Sequence, residues 1–244
     1  METRNNSLGW IALSAGIVIS AFLLSGALKK RTTAQEVISV AGLGTKDFIS
    51  DLIVWNGSFT KKNAELKSAY DALNVDREKI KKYFLEKGIA ANQIVFSAVN
   101  ISKDYETSGD YDNKRQVFVG YNLSQNVRIE SKEVDKVEAV SREVSELINN
   151  GIEFESSSPS YFYTQLPTLK LDLIAKATED AKQRAEKIAE KAGSDIGNLK
   201  SANTGIIQIT GQNSTEEYEW GGTFNTTSKA KTASITVRLE YKID

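Results

Sequence analysis

The sequence predicts an α+β fold, a mostly antiparallel sheet packed by helices in the order ββα-ββα-βα-ββ, after a single N-terminal transmembrane helix. Three stretches carry that expectation. From Val117 to Ile129 the odd positions read Val, Val, Tyr, Leu, Gln, Val, Ile against mostly polar even ones, the period of a half-buried strand. Ile235, Val237, Leu239, Tyr241 and Ile243 repeat that alternation at the end of the chain. Between Pro167 and Gly193, Ile174, Ala177, Ala181, Ala185, Ile188 and Ala192 recur at helical spacing. Pro suits a first helical turn and Gly the position after the last one. A stripe made mostly of Ala has little side-chain volume, so this helix can lie close against a sheet.

The remaining elements follow in order. Leu8 to Leu28 holds 21 residues without a charge, and a bilayer core of about 30 Å needs roughly 20 such residues as a helix. A cleaved secretory signal is the competing reading, with Ser25-Gly26-Ala27 supplying small residues for cleavage. Residues 1–31 therefore form an anchor or signal segment, and 36–243 the body. Val37 to Leu43 and Leu52 to Phe59 read as two strands around a turn containing Gly44-Thr45-Lys46-Asp47. Asn63 to Leu73 and Asp76 to Lys87 read as a broken helical region, with Asp76 as an N-cap and Gly88 as the stop. Gln93 to Ser102 is a strand, and Lys103 to Lys114 a solvated polar connection. Val134, Val137, Val140, Val144, Leu147 and Ile148 give an amphipathic helix that ends at Asn150-Gly151. Ile152 to Glu155 and Asn203 to Thr210 are further strands, and Gly211 to Lys231 is a polar stretch containing Trp220-Gly221-Gly222.

Absences narrow the chemistry. The chain has no His, no Cys and only its first Met. That excludes His-based acid–base catalysis, Ser-His-Asp and Cys-His triads, disulfides, and zinc sites built from imidazole or thiolate. Carboxylate, Lys and Tyr chemistry remain open. The net charge is −1, with +3 on residues 1–31 and −4 on the body, which argues against a nucleic-acid partner. Gly42-Leu43-Gly44 lacks the third glycine of a dinucleotide fingerprint, where Asp47 stands. The acids of Lys103 to Lys114 lack the Gly and Glu offsets of a calcium loop. No catalytic, cofactor-binding or metal-binding residue is identified. The candidate surface contacts are Trp220, Tyr161 and Tyr163, each with core or edge packing as its alternative.

VISVAGLGTKDFISDLIVW resembles the opening of SIMPL-domain (DUF541) proteins, and NNGIEF, the Ala-rich helix with its following Gly turn, and TASITVRLEYKI are similar to that family too. The resemblance covers roughly residues 36 to 243. Asn56 departs from the Pro that often follows the Trp in close relatives, which touches only strand-edge detail. The resemblance implies an envelope-associated bacterial protein, commonly periplasmic, with no established enzymatic activity and no catalytic residues to carry over. Lys29-Lys30-Arg31 favours a cytoplasmic body by the positive-inside rule. The resemblance outweighs it, since large domains translocate largely regardless of charge.

The leading expectation is a non-enzymatic binding or assembly module of the envelope. It would be held in the inner membrane by Leu8–Leu28, with its body in the periplasm. Its partners would be the membrane and either further copies of itself or another envelope protein. Two alternatives stand beside it: a hydrolase using paired carboxylates, and an adaptor facing the cytoplasm.

Overall fold

The computed structural model describes residue 10 and residues 13–14, 16–21, 37–109 and 114–243. Most of Leu8–Leu28, the predicted anchor, lies outside the described residues, and so do residues 110–113 of the polar connection. Among the described residues, no helix is long and apolar enough to cross a membrane.

The fold is α+β with antiparallel sheets. After residue 36 the elements are β1 (Val37–Ile49), β2 (Leu52–Asn63), α1 (Leu66–Glu86), β3 (Ile94–Phe96), β4 (Asn100–Ser108), β5 (Arg115–Ser131) and α2 (Val134–Glu143). A 3₁₀ segment, Val144–Asn150, extends α2. Then come β6 (Phe154–Ser156), β7 (Ser160–Phe162), α3 (Leu166–Ala192), β8 (Ile196–Thr204), β9 (Gln208–Gly211) and β10 (Ala230–Ile243). One sheet has the order β1-β10-β8, with β9 also on β10. The other has the order β3-β5-β2-β6, with β4 on β5 and β7 on β2.

The chain divides into two compact units. In the larger, residues 43–177 and 204–236, β2 and β5 form a long antiparallel ladder from Ile53 opposite Ser131 to Asn63 opposite Tyr121. Ile53, Trp55 and Phe59 of β2 join Leu123, Val127 and Ile129 of β5, with Leu73, Ile80 and Phe84 of α1 and Val137 and Val140 of α2, in one buried cluster. Trp55 sits 5.5 Å from the Phe84 ring and 6.0 Å from the Phe154 ring. Its indole N–H reaches the Ser156 hydroxyl at 3.0 Å and the Ser157 carbonyl at 3.1 Å, so its polar atom is partnered. In the smaller unit the buried side chains are Val40, Ala181, Ala185, Ala189, Val237, Leu239 and Tyr241.

Three helical segments end on glycines at positive φ, as their sequence implies: Gly88 (80°), Gly151 (73°) and Gly193 (78°). The N–H of the residue after each one returns to an earlier carbonyl, Ile89 to Phe84, Ile152 to Leu147 and Ser194 to Ala189, which satisfies the last turn.

Other expectations are corrected. The order is ββα-βββα-ββα-βββ, with ten strands among the described residues. Gly44-Thr45-Lys46-Asp47 is strand, not turn, and β1 continues to Ile49. A Cβ at Gly44 would lie 2.2 Å from the Leu173 carbonyl oxygen, so this glycine serves close approach of α3 to the strand. Helix α1 is unbroken because it contains neither Gly nor Pro. Asp76 is therefore interior, buried and paired with Lys61 of β2 at 2.8 Å, and caps nothing. Part of the polar connection is strand, since Lys103–Ser108 pairs with β5. The buried face of α3 is Leu169, Leu173, Ala177, Ala181, Ala185 and Ala189, a strict spacing of four, whereas Ile188 is 52% exposed. Ala181 is fully buried. Ala181→Leu should therefore destabilise the protein by about 1 to 3 kcal/mol through overpacking, read as a lower urea midpoint.

Candidate functional site

The polar stretch after β9 is an ordered loop. β9 pairs with β10 from Gln208 opposite Ser234 to Gly211 opposite Lys231, and residues 212–229 leave and re-enter from that short ladder. Backbone bonds pin the loop to β9: Ile209 N–H donates to Thr223 O at 2.7 Å, and Asn225 N–H donates to Ile209 O at 2.8 Å. The Gln208 side chain spans the same gap, accepting from Thr223 N–H at 2.7 Å and donating to Glu219 O at 3.0 Å. This largely polar loop becomes a fixed structure because its backbone groups find partners on β9.

A charged latch lies at the loop base. Glu216 accepts the Gly211 N–H at 2.8 Å and the Asn225 side-chain amide. The hydrogen bonds from Gly211 and Asn225 hold its carboxyl below the usual range, against a smaller opposing effect of burial. The Asn225 carbonyl and the Tyr161 carbonyl both accept from the Lys231 ammonium, the latter at 2.9 Å. Lys231 is only 2% exposed. Burial pushes its amine down to about 8, with Glu216 opposing in part. It follows the phase of Ala233, Ile235 and Val237, the inward positions of β10. Extending the alternation two steps back from Ile235 to Ala233 and Lys231 would have found it. Glu216, Gln208 and Asn225 carry no comparable signal in the sequence.

The lowered amine has a signed consequence. Below about pH 8 the folded state carries the full penalty of a buried charge. Between there and 10.5, the ordinary lysine value, the unfolded chain binds a proton that the folded chain has already lost, so stability rises with pH. Relative to Lys231→Met, the native protein should gain up to about 3 kcal/mol across that window, measured by urea unfolding at several pH values. A constant difference would show that the amine is not shifted.

The loop displays aromatics. Trp220 is 99% exposed, and Tyr218, Phe224 and the nearby Ile206 are exposed as well. The Tyr218 hydroxyl accepts from Ser234 at 3.1 Å, which fixes one ring while its face stays open. A concavity of about 580 Å³ is lined by residues 216–219 and 223–227. A second, of about 400 Å³, is lined by Gly205, Ile206, Gln208, Tyr218, Glu219 and Trp220.

The three candidate contact residues have different places. Trp220 is free at the loop surface, as a contact residue needs to be. Tyr161 is 7% exposed: its N–H donates to Thr226 O and its hydroxyl to Glu138 at 3.1 Å, so it supports the loop base. Tyr163 is half-buried with its ring 4.6 Å from that of Phe48, and does not join the other two.

Beside the loop base, Lys229 pairs with Asp135 and with Glu138 at 3.0 Å, and Arg142 pairs with Glu138 at 2.7 Å. Burial alone would raise the Glu138 carboxyl, but hydrogen bonds from Lys229, Arg142 and Tyr161 bring it below the usual range. Carboxylates so neutralised are poor general acids. Among the described residues, no group of three or more acids could hold a metal ion.

Residues 38–241 match the family model SIMPL, described as a protein of unknown function (DUF541). No curated protein matches the chain.

Proposed function

The chain belongs to the SIMPL family, whose function is unknown, and on that premise we propose that it is a non-enzymatic binding or assembly module with the 212–229 loop as its contact element. The observation that carries this reading is the 99% exposed Trp220 on a loop latched by Glu216, Asn225 and Lys231. An exposed Trp on a preordered loop offers a large apolar surface with little conformational entropy left to lose, the character of a binding hot spot. The enzymatic alternative has less support. Each carboxylate shifted among the described residues, Glu138, Glu146, Asp172 and Glu216, is shifted down, whereas a general acid needs the opposite.

The reading places the module in the cell envelope, held by the uncharged run Leu8–Leu28, with the body on the periplasmic side. The length of that run supports anchoring. Lys29-Lys30-Arg31 favours the opposite orientation and an adaptor facing the cytoplasm. Reporters active on only one side of the membrane, fused after Asp244 of the full chain, separate the two. A signal from the cytoplasmic reporter alone would remove the periplasmic reading.

The contact role is tested by a photo-crosslinking residue at position 220 of the full chain in native membranes, with position 171 as an exposed control. A discrete adduct should form at 220, be absent at 171, and fade in Glu216→Ala as the latch opens. No adduct at 220, or the same pattern at both positions, would overturn the contact role.

A further inference from the structure

The latch puts an amine, a side-chain amide and a carboxylate side by side. Lys231 and Asn225 are 2% and 7% exposed, so both lie largely out of water. The Asn225 side-chain oxygen accepts the Ser228 N–H at 2.8 Å, which polarises its carbonyl as an oxyanion donor does. The side-chain nitrogen donates to the Glu216 carboxylate, and to the Thr227 hydroxyl at 3.3 Å. The Lys231 ammonium lies on the main-chain carbonyl of the same Asn225 and on that of Tyr161. In asparagine only Cα and Cβ separate the main-chain carbonyl from the side-chain Cγ. Rotation within the flexible lysine stem therefore carries Nζ from the one to the other. Burial has already brought this amine down to about 8, so a fraction of it is neutral and nucleophilic near neutral pH. Glu216 is held ionised by its donors and can accept a proton.

We propose that Lys231 and Asn225 join in a self-catalysed isopeptide bond, with Glu216 as the proton carrier and the Ser228 N–H as the oxyanion donor. Neutral Nζ attacks Cγ, and the carbonyl electron pair moves onto the side-chain oxygen facing Ser228. Glu216 takes the proton released from Nζ and passes it to the Asn225 nitrogen, which it already touches. The bond from Cγ to that nitrogen breaks, the carbonyl re-forms, and the nitrogen leaves as ammonia. One amine and one amide become a substituted amide and ammonia, with no change of oxidation state. The new amide keeps one N–H, enough for the Tyr161 carbonyl. Glu216 and Asn225 both line the concavity of about 580 Å³, which gives the ammonia its exit. A chain without Cys cannot staple its loop with a disulfide, and an amide staple is indifferent to redox conditions. Closure consumes the amine, so the pH response of Lys231 belongs to the open chain. The bond does not depend on the contact role given to Trp220.

The test is a tryptic peptide map, by mass spectrometry, of the full chain purified in mild detergent and aged near the pKa of the buried amine, about 8. Trypsin cuts after Lys229 but not after an acylated Lys231. The closed chain should therefore yield one branched peptide, 201–229 joined to 230–238, lighter than the two together by one ammonia. Lys231→Met should retain that ammonia. Free 230–231 beside an unaltered 201–229 would overturn the bond. So would an ammonia loss confined to 201–229, which is a succinimide at Asn225. Glu216→Gln, which keeps an oxygen for the Gly211 N–H, should close at least about a hundredfold more slowly, the scale of general acid–base catalysis. An unchanged rate would remove Glu216 from the reaction. The map of the unmodified chain decides the bond by itself, whether or not a variant folds.

Discussion

Replacing Gly44 with valine should destabilise the protein by more than about 3 kcal/mol, the upper range for forced overpacking. The obstacle is main chain. A Cβ at this position meets the Leu173 carbonyl oxygen at 2.2 Å and the Ala177 amide nitrogen at 2.9 Å. No rotamer change relieves a clash with the backbone of α3, so the helix must move away from β1. Displacement would uncover the neighbouring helix face, where Leu173 and Ala177 are fully buried. Urea denaturation measures the loss directly. A midpoint within error of the native protein would mean that α3 does not lie against β1 at Gly44.

Trp55→Ala should cost about 3 to 5 kcal/mol, the range for deleting a buried aromatic from a packed core. Trp55 is 1% exposed and joins α1 to the β2–β6 edge through Phe84 and Phe154. Its loss also removes the indole N–H bonds to the Ser156 hydroxyl and the Ser157 carbonyl. Trp55→Phe keeps most of the volume but not that donor, so it should fall between the two. If Phe proved as damaging as Ala, the hydrogen bond would outweigh the packing.

How legible each part was depends on where its determinants lie. Helix stops written as single glycines, and strands written as period-two alternation, are local signals, and they survive in the fold at Gly88, Gly151, Gly193, β5 and β10. The glycine at position 44 reads as a turn because local chemistry cannot distinguish a turn from a close approach by a helix more than a hundred residues later. Asp76 reads as a cap because Lys61, which neutralises it inside the helix, belongs to another element. β8 is nearly all exposed after its first two residues, so no buried face imposes alternation on its sequence. Of the candidate site, the exposed tip was legible and the base was not. Trp220 stands out in a polar stretch, whereas the Glu216–Asn225–Lys231 latch consists of ordinary polar residues whose roles come only from tertiary placement.

On the contact role proposed for the loop, the latch also shapes the time course of recognition. A loop that must order itself on contact adds a unimolecular step, and the observed association rate then levels off as partner concentration rises. Here Ile209, Gln208, Glu216 and Lys231 already hold the loop without any partner. Trp220 should therefore report binding in stopped-flow fluorescence as a single exponential. Its rate should climb linearly with concentration and without a plateau, so that differences in affinity between partners are set by how slowly each one leaves.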